Sequence, residues 1–112
     1  MPVLVKNTNS LDFSYTEPST SADGSVLDDL KETRCYMQPV PNGVASVVKI
    51  APASSVSGGG QVTVNVQAPV LPNTQQTFDC WVTAVDLVGN ESPKSNVVQV
   101  RIDMVPPAPP LL

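Results

Sequence analysis

The sequence predicts an all-β protein, a sandwich of seven strands, on three observations. Apolar residues recur with a period of two in short runs, the signature of half-buried strands. Twelve of 112 residues are proline and only 14% are charged, a composition that interrupts helices and suits strands punctuated by turns. The runs return every 10 to 15 residues or so, the spacing of a sandwich. At this length one domain is expected, able to bury roughly two-thirds of its unfolded surface. Aromatics make up only 4% against 41% hydrophobic residues, so valine must supply most of the core.

The anchor is 77–85, TFDCWVTAV. Phe78, Cys80, Val82 and Ala84 fall on one face; Asp79, Trp81, Thr83 and Val85 fall on the other. No other stretch concentrates so much core material, so a central strand with neighbours on both sides is expected. Ahead of it, 2–6 (PVLVK) reads as a short strand and 7–9 as a turn. The run 10–17 alternates through Leu11, Phe13 and Tyr15, and Pro18 closes it, because proline cannot donate to a central ladder. Turn chemistry fills 19–25 around Asp23-Gly24. The stretch 26–31 is too short for a helix and reads as a loop whose leucines, Leu27 and Leu30, plug the core.

A strand is expected over 33–38, with Cys35 and Met37 on one face and Arg34, Tyr36 and Gln38 on the other. After a turn at 39–43, the strand 44–50 should lie near an edge, guarded by Lys49. The glycine- and serine-rich 51–60 reads as a flexible, poorly specified loop. The cleanest alternation is 61–67, with Val62, Val64 and Val66 inward. A corner at 68–76, the central strand, a hairpin loop at 86–94 and a last strand at 95–102 complete the domain, 1–102. Residues 103–112, DMVPPAPPLL, form a proline-rich tail expected to be extended and polyproline-like.

The net charge of −4 and the absence of histidine argue against a nucleic-acid footprint and a polybasic membrane patch. They also remove the usual general base and the commonest metal ligand. No apolar run approaches the length of a membrane-spanning helix. The N-terminal residues lack a signal-peptide shape, so the chain is expected to be made in the cytosol, or to be numbered from a Met added after cleavage. Neither a Gly-x-Ser-x-Gly nor a Ser-x-x-Lys nucleophile motif occurs, nor a phosphate loop; Gly58-Gly59-Gly60 is followed by no Lys-Ser/Thr. Asp23, Asp28, Asp29, Asp86 and Glu91 match no calcium-loop spacing and read as turn acids. Asn90-Glu91-Ser92 is a glycosylation sequon that reads as ordinary hairpin loop. No enzyme activity, cofactor or metal is expected.

Three phrases in order carry a family resemblance. LPNTQQTFDCWVTAVDLVGNESPKSNVVQV at 71–100 has a Leu-Pro-x-Thr corner, an aromatic-led strand, Ala-Val-Asp, a Gly-Asn turn and a Ser-x-x-Ser-Asn lead into the last strand. SLDFSYTEP at 10–18 and DGSVLDDLKETRCYMQ at 23–38 are the others. Together they resemble the fibronectin type III domain, in its bacterial or phage variety, over 2–102. The resemblance implies a seven-stranded Greek-key sandwich. Three positions depart from it: Tyr15 stands in place of a core Trp, Thr33 in place of a buried Tyr, and Gln76 in place of the corner Tyr. The expected consequences are a core poorer in aromatics, modest stability, and a corner that is looser or tied by another group. VGNESPK holds no Arg-Gly-Asp, so integrin adhesion is not implied.

On this resemblance Cys35 and Cys80 point inward on neighbouring strands. They act either as two reduced core thiols or as a cross-strand disulfide, which in the chain-entropy view contributes roughly 4 kcal/mol. Two cysteines without histidine cannot fill a zinc shell. On the outer face, Tyr36 and Trp81, joined by Val85 and Val97 with Arg34 and Arg101 alongside, have the composition of an interface anchor. The plainer reading is a decorated sheet face, and glycan stacking is a third. In the tail, Pro106, Pro107, Pro109, Pro110, Leu111 and Leu112 are expected to dock on a neighbouring subunit by strand addition or groove binding.

The functional expectation is therefore a non-enzymatic structural or interaction module whose partners are other protein subunits of an assembly, with a homo-oligomer included and a surface glycan as an option. Within that class, fold-level analogy favours an accessory subunit of a tailed bacteriophage virion (decoration, collar or tail). The alternative is a cell-surface or secreted adhesion or carbohydrate-binding module of a larger protein.

Overall fold

The computed structural model describes residues 4–112. Among the described residues there are seven strands and no helix: β1 (Leu4–Lys6), β2 (Ser10–Thr16), β3 (Leu30–Pro39), β4 (Ser46–Pro52), β5 (Gln61–Gln67), β6 (Gln75–Asp86) and β7 (Val98–Asp103). They form two sheets, one of five strands in the order β1-β7-β6-β3-β4 and one of two, β2-β5. All pairings are antiparallel except β1 with β7, which run parallel. The architecture is consistent with a β-sandwich, because the inward faces of both sheets meet in one core. Leu11, Phe13 and Val66 come from the small sheet, and Cys35, Met37, Phe78, Cys80, Val100 and Ile102 from the large one.

β6 is central, flanked by β7 and β3, as its concentration of apolar residues requires. β4 is an edge, and Lys49 on it is exposed. β5 has the predicted bounds. The predicted first strand began at Pro2; Pro2 and Val3 lie outside the described residues. Several bounds differ for a common reason. β3 starts at Leu30, inside the expected loop, because pairing with β6 continues to Leu30–Asp86 across a register shift. β4 is displaced to Ser46–Pro52 by pairing with β3. β7 begins three residues late, at Val98: ahead of it Ser92 and Ser95 donate their N–H groups to Ala84 O and Val82 O, but the return bonds from β6 go to their hydroxyls, not to a backbone carbonyl. Leu27 and Leu30 are buried as expected, but outside the main core cluster.

The loop between β4 and β5 corrects a sequence expectation. It is not poorly specified. Glu17, only 3% exposed, accepts hydrogen bonds from the Ser54 N–H (2.9 Å), the Ser54 hydroxyl (2.5 Å) and the Gly60 N–H (3.1 Å). Further backbone bonds run from Gly59 N–H to Pro18 O, Leu30 N–H to Val56 O and Ala53 N–H to Lys31 O. Gly58 has a φ of 65°, and a Cβ there would overlap the Pro18 carbonyl. The glycines fit the loop closely against β2 rather than loosening it.

At the corner, Gln76 Nε2–H donates to Val40 O at 3.1 Å. The amide thus ties the β5–β6 corner to the β3–β4 turn. The Met104 N–H bonds to Thr74 O, and Met104 packs against the core. Beyond it the chain leaves the body: residues 105–112 are all exposed, and the molecule measures 67 × 25 × 23 Å.

Candidate functional site

Three features have the chemistry of recognition: the outer face of the large sheet, a groove along β2, and the arm 105–112.

On the outer face, the β3–β6 register sets Tyr36 opposite Trp81. Their rings stack with centroids 5.6 Å apart at 11°, and Lys94 Nζ sits 4.6 Å over the Trp81 ring. The structure therefore brings the predicted pair together but covers most of it: Trp81 is 9% exposed and Val85 2%. The cover is the β6–β7 connection. β7 pairs with β6 only from Gln75 to Cys80. Along the rest of β6, the Val82 N–H donates to Ser95 Oγ and the Ala84 N–H to Ser92 Oγ. This draws 91–95 alongside the strand and brings Lys94 over the indole.

Glu91 fastens that connection. Its carboxylate accepts from the Tyr36 hydroxyl (2.5 Å), the Thr83 hydroxyl (2.6 Å) and Arg34 Nη1–H (3.5 Å). The Thr83 and Tyr36 hydroxyls hold its carboxyl below the usual range. Arg34 also pairs with Glu32 at 2.8 Å. Val97 lies half-buried just ahead of β7, and Arg101 is exposed. The predicted arm residues Pro106, Pro107, Pro109, Pro110, Leu111 and Leu112 lie apart from this face, on the segment leaving β7, with Leu111 and Leu112 fully exposed.

Cys35 and Cys80 both face the core as free thiols. Cys35 stands opposite Val82 and Cys80 opposite Met37, so the two are diagonal neighbours. Diagonal residues lie about 7–8 Å apart, beyond the reach of a relaxed disulfide. Burial pushes the Cys35 thiol up to about 11 and the Cys80 thiol up to about 12, which makes both poor nucleophiles.

The acids serve turns. Asp23 accepts from the Ser25 N–H and hydroxyl. Asp86 accepts from the N–H groups of Val88 and Asn90 and from the Asn90 side chain, so the sequon's Asn90 works inside the hairpin turn. Among the described residues no three His, Cys, Asp or Glu side chains gather into a metal-holding group.

Sequence reasoning missed Glu17 and Glu91 as organising groups. For Glu17 the signal was present: it continues the inward series Leu11, Phe13, Tyr15. For Glu91 no local signal existed, because its partners lie 8, 55 and 57 positions away. The groove along β2 was also missed, since it depends on which strands fail to pair. No protein family, curated protein or solved structure matches this chain.

Proposed function

We propose that this chain is a non-catalytic structural module with a Greek-key, fibronectin type III-like sandwich, serving as a subunit of a larger protein assembly. The observation that carries the reading is the arm: eight consecutive exposed residues, 105–112, of proline, alanine, valine and leucine. An apolar segment projecting clear of a folded body gains nothing in water and is suited to another chain's surface. The family reading is supported by the three phrases of the resemblance, which fall on β2, on the approach to and body of β3, and on β6 through β7. Fold-level analogy then favours an accessory subunit of a tailed bacteriophage virion, in a decoration, collar or tail position. A glycan-binding module at a cell surface is less well supported, because Tyr36 and Lys94 already lie against the Trp81 ring.

The test is to recover the protein from its native source and sediment it under non-denaturing conditions. Co-migration with particles far heavier than the single chain is expected. Recovery as a free single chain under all conditions overturns the proposal.

A further inference from the structure

Among the described residues β2 is paired on one side only. Asn9 O accepts from the Ala68 N–H, and the Glu17 N–H donates to Gly60 O. In the β2–β5 register these bonds set the odd-numbered residues as the hydrogen-bonded pairs. In an antiparallel ladder the alternate residues then direct their backbone groups the other way, so the N–H and C=O of Asp12 and Ser14 face an open edge. The outer strands of the large sheet are protected: β1 has three residues, and β4 carries Lys49 and Pro52 beside a register shift. β2 is seven residues long, with neither lysine nor proline, a form of edge that invites pairing.

The open edge borders a groove of about 480 Å³. Phe13 and Tyr15 of β2 line one side, and Val82, Val98 and Val100 of the large sheet line the other. Its width follows from the topology. The small sheet has two strands and the large one five, so part of the large sheet extends beneath the open edge of β2. A second whole sandwich cannot approach β2 edge to edge, because its own wide sheet would meet this one. A single extended segment can.

The arm has that form. Its eight residues span about 25 Å as polyproline helix, against about 23 Å for a seven-residue strand. Pro106 and Pro109, and Pro107 and Pro110, are three apart, which places each pair on one face of a three-fold helix. Aromatic-lined grooves are the receptors such segments use, and the Phe13 and Tyr15 rings line this one. The arm's carbonyls, free in this conformation, are acceptors for the outward N–H groups of Asp12 and Ser14. Within one chain the arm runs on from the end of β7, while the groove lies back beside Val98 at its start. Reaching it would require reversing immediately after Met104, whose N–H is held by Thr74 O.

We propose that the arm 105–112 of one copy lies in the β2-edge groove of a second copy. The proposal rests on the reading of the chain as an assembly module and names the arm's partner. Arm and groove are different surfaces, so the contact is head-to-tail and propagates into a ring or a filament.

The test uses full-length chains in analytical ultracentrifugation over a range of concentrations. The unaltered chain should grow beyond a dimer as concentration rises. Val98→Glu, at a 42% exposed position of the groove, and independently Ser14→Pro, which removes an outward N–H together with the exposed Ser14–Thr63 hydroxyl contact, should each stay at single-chain mass. So should an arm variant carrying Pro107→Asp and Leu111→Asp. Mixed, Val98→Glu and the arm variant should form a 1:1 pair and nothing larger, because one intact arm meets one intact groove. A chain that stays single at all concentrations overturns the inference, as does assembly that survives both groove variants or a mixture that gives no pair. If the isolated chain stays single while the native protein still sediments with particles, the assembly reading stands and this inference alone falls.

Discussion

The Tyr15 hydroxyl lies 2.6 Å from Thr33 Oγ1, joining β2 of the small sheet to β3 of the large one. On the proposed fibronectin type III reading, these are two of the three positions that depart from the pattern of the resemblance. The departures are coupled: a smaller aromatic with a polar tip on one sheet meets a buried hydroxyl, 1% exposed, on the other. An inter-sheet hydrogen bond occupies the place where the resemblance would put two larger rings.

That coupling is measurable. Tyr15→Phe leaves the Thr33 hydroxyl buried without this partner, which costs about 1–3 kcal/mol. Thr33→Val alone should cost a similar amount, through the Tyr15 hydroxyl. The double variant should lose clearly less than the sum, because replacing both partners by apolar groups of like shape is nearly neutral. Denaturant unfolding of the four chains checks this, and strictly additive losses would refute the coupling.

Glu17 sets the acid limb of stability. Burial pushes its carboxyl up, but the hydrogen bonds from the Ser54 hydroxyl, Ser54 N–H and Gly60 N–H outweigh that and hold it below the ordinary range. A depressed folded value means that the unfolded chain binds the proton first as pH falls. The stabilisation is therefore complete above the ordinary glutamate value and lost as pH drops through the folded one. Glu17→Gln should cost about 1–3 kcal/mol at neutral pH and make the melting temperature less sensitive to pH below about 4.5. Asp23, Asp86 and Glu91 are lowered as well, so the limb should shrink without vanishing. An unchanged acid limb would remove Glu17 from this role.

How far the sequence could be read follows from the range of each signal. Period-two alternation is local, and it located all seven strands, the centrality of β6 and the bounds of β5. Strand ends failed where a partner decided them: Leu30 looks like loop until Asp86 is known to stand opposite. The loop 51–60 looked loose because glycine and serine carry no packing signal. Its anchor is a carboxylate 37 positions from Ser54, and no local pattern reports that. Trp81 was assigned to the right face, but its burial depends on a lysine and two serines from the following connection. The β2 groove is defined by a pairing that is absent, which no stretch of residues encodes by itself.

Glu91 governs the surroundings of Trp81. Glu91→Ala should release the β6–β7 connection, let Lys94 leave the indole and shift the emission of this single tryptophan to longer wavelength. The cost should be modest, about 1 kcal/mol, because these charges are partly in water. Lys94→Ala should change the emission without an equal loss of stability. Fluorescence and thermal melts on both variants decide it, and emission unchanged in Glu91→Ala would show that the connection is held without the carboxylate.

The buried thiols set the alkaline limb. Burial holds Cys35 protonated to about 11 and Cys80 to about 12, against an ordinary value of 9.0. Tyr15 is raised by the same cause, burial. A raised folded value means that the unfolded chain loses its proton first. Stability is therefore full below about pH 9 and falls as pH climbs through the folded values, each thiol steepening the fall by about 1.4 kcal/mol per pH unit inside its window. Thiol reagents at pH 8 should label neither cysteine in the folded chain and both in denaturant, with two added masses by mass spectrometry. Rapid labelling of the folded chain would contradict the burial of these groups. Protection that persists in denaturant without reductant would mean that the two sulfurs are bridged, and the alkaline fall should then lose the contribution of both thiols.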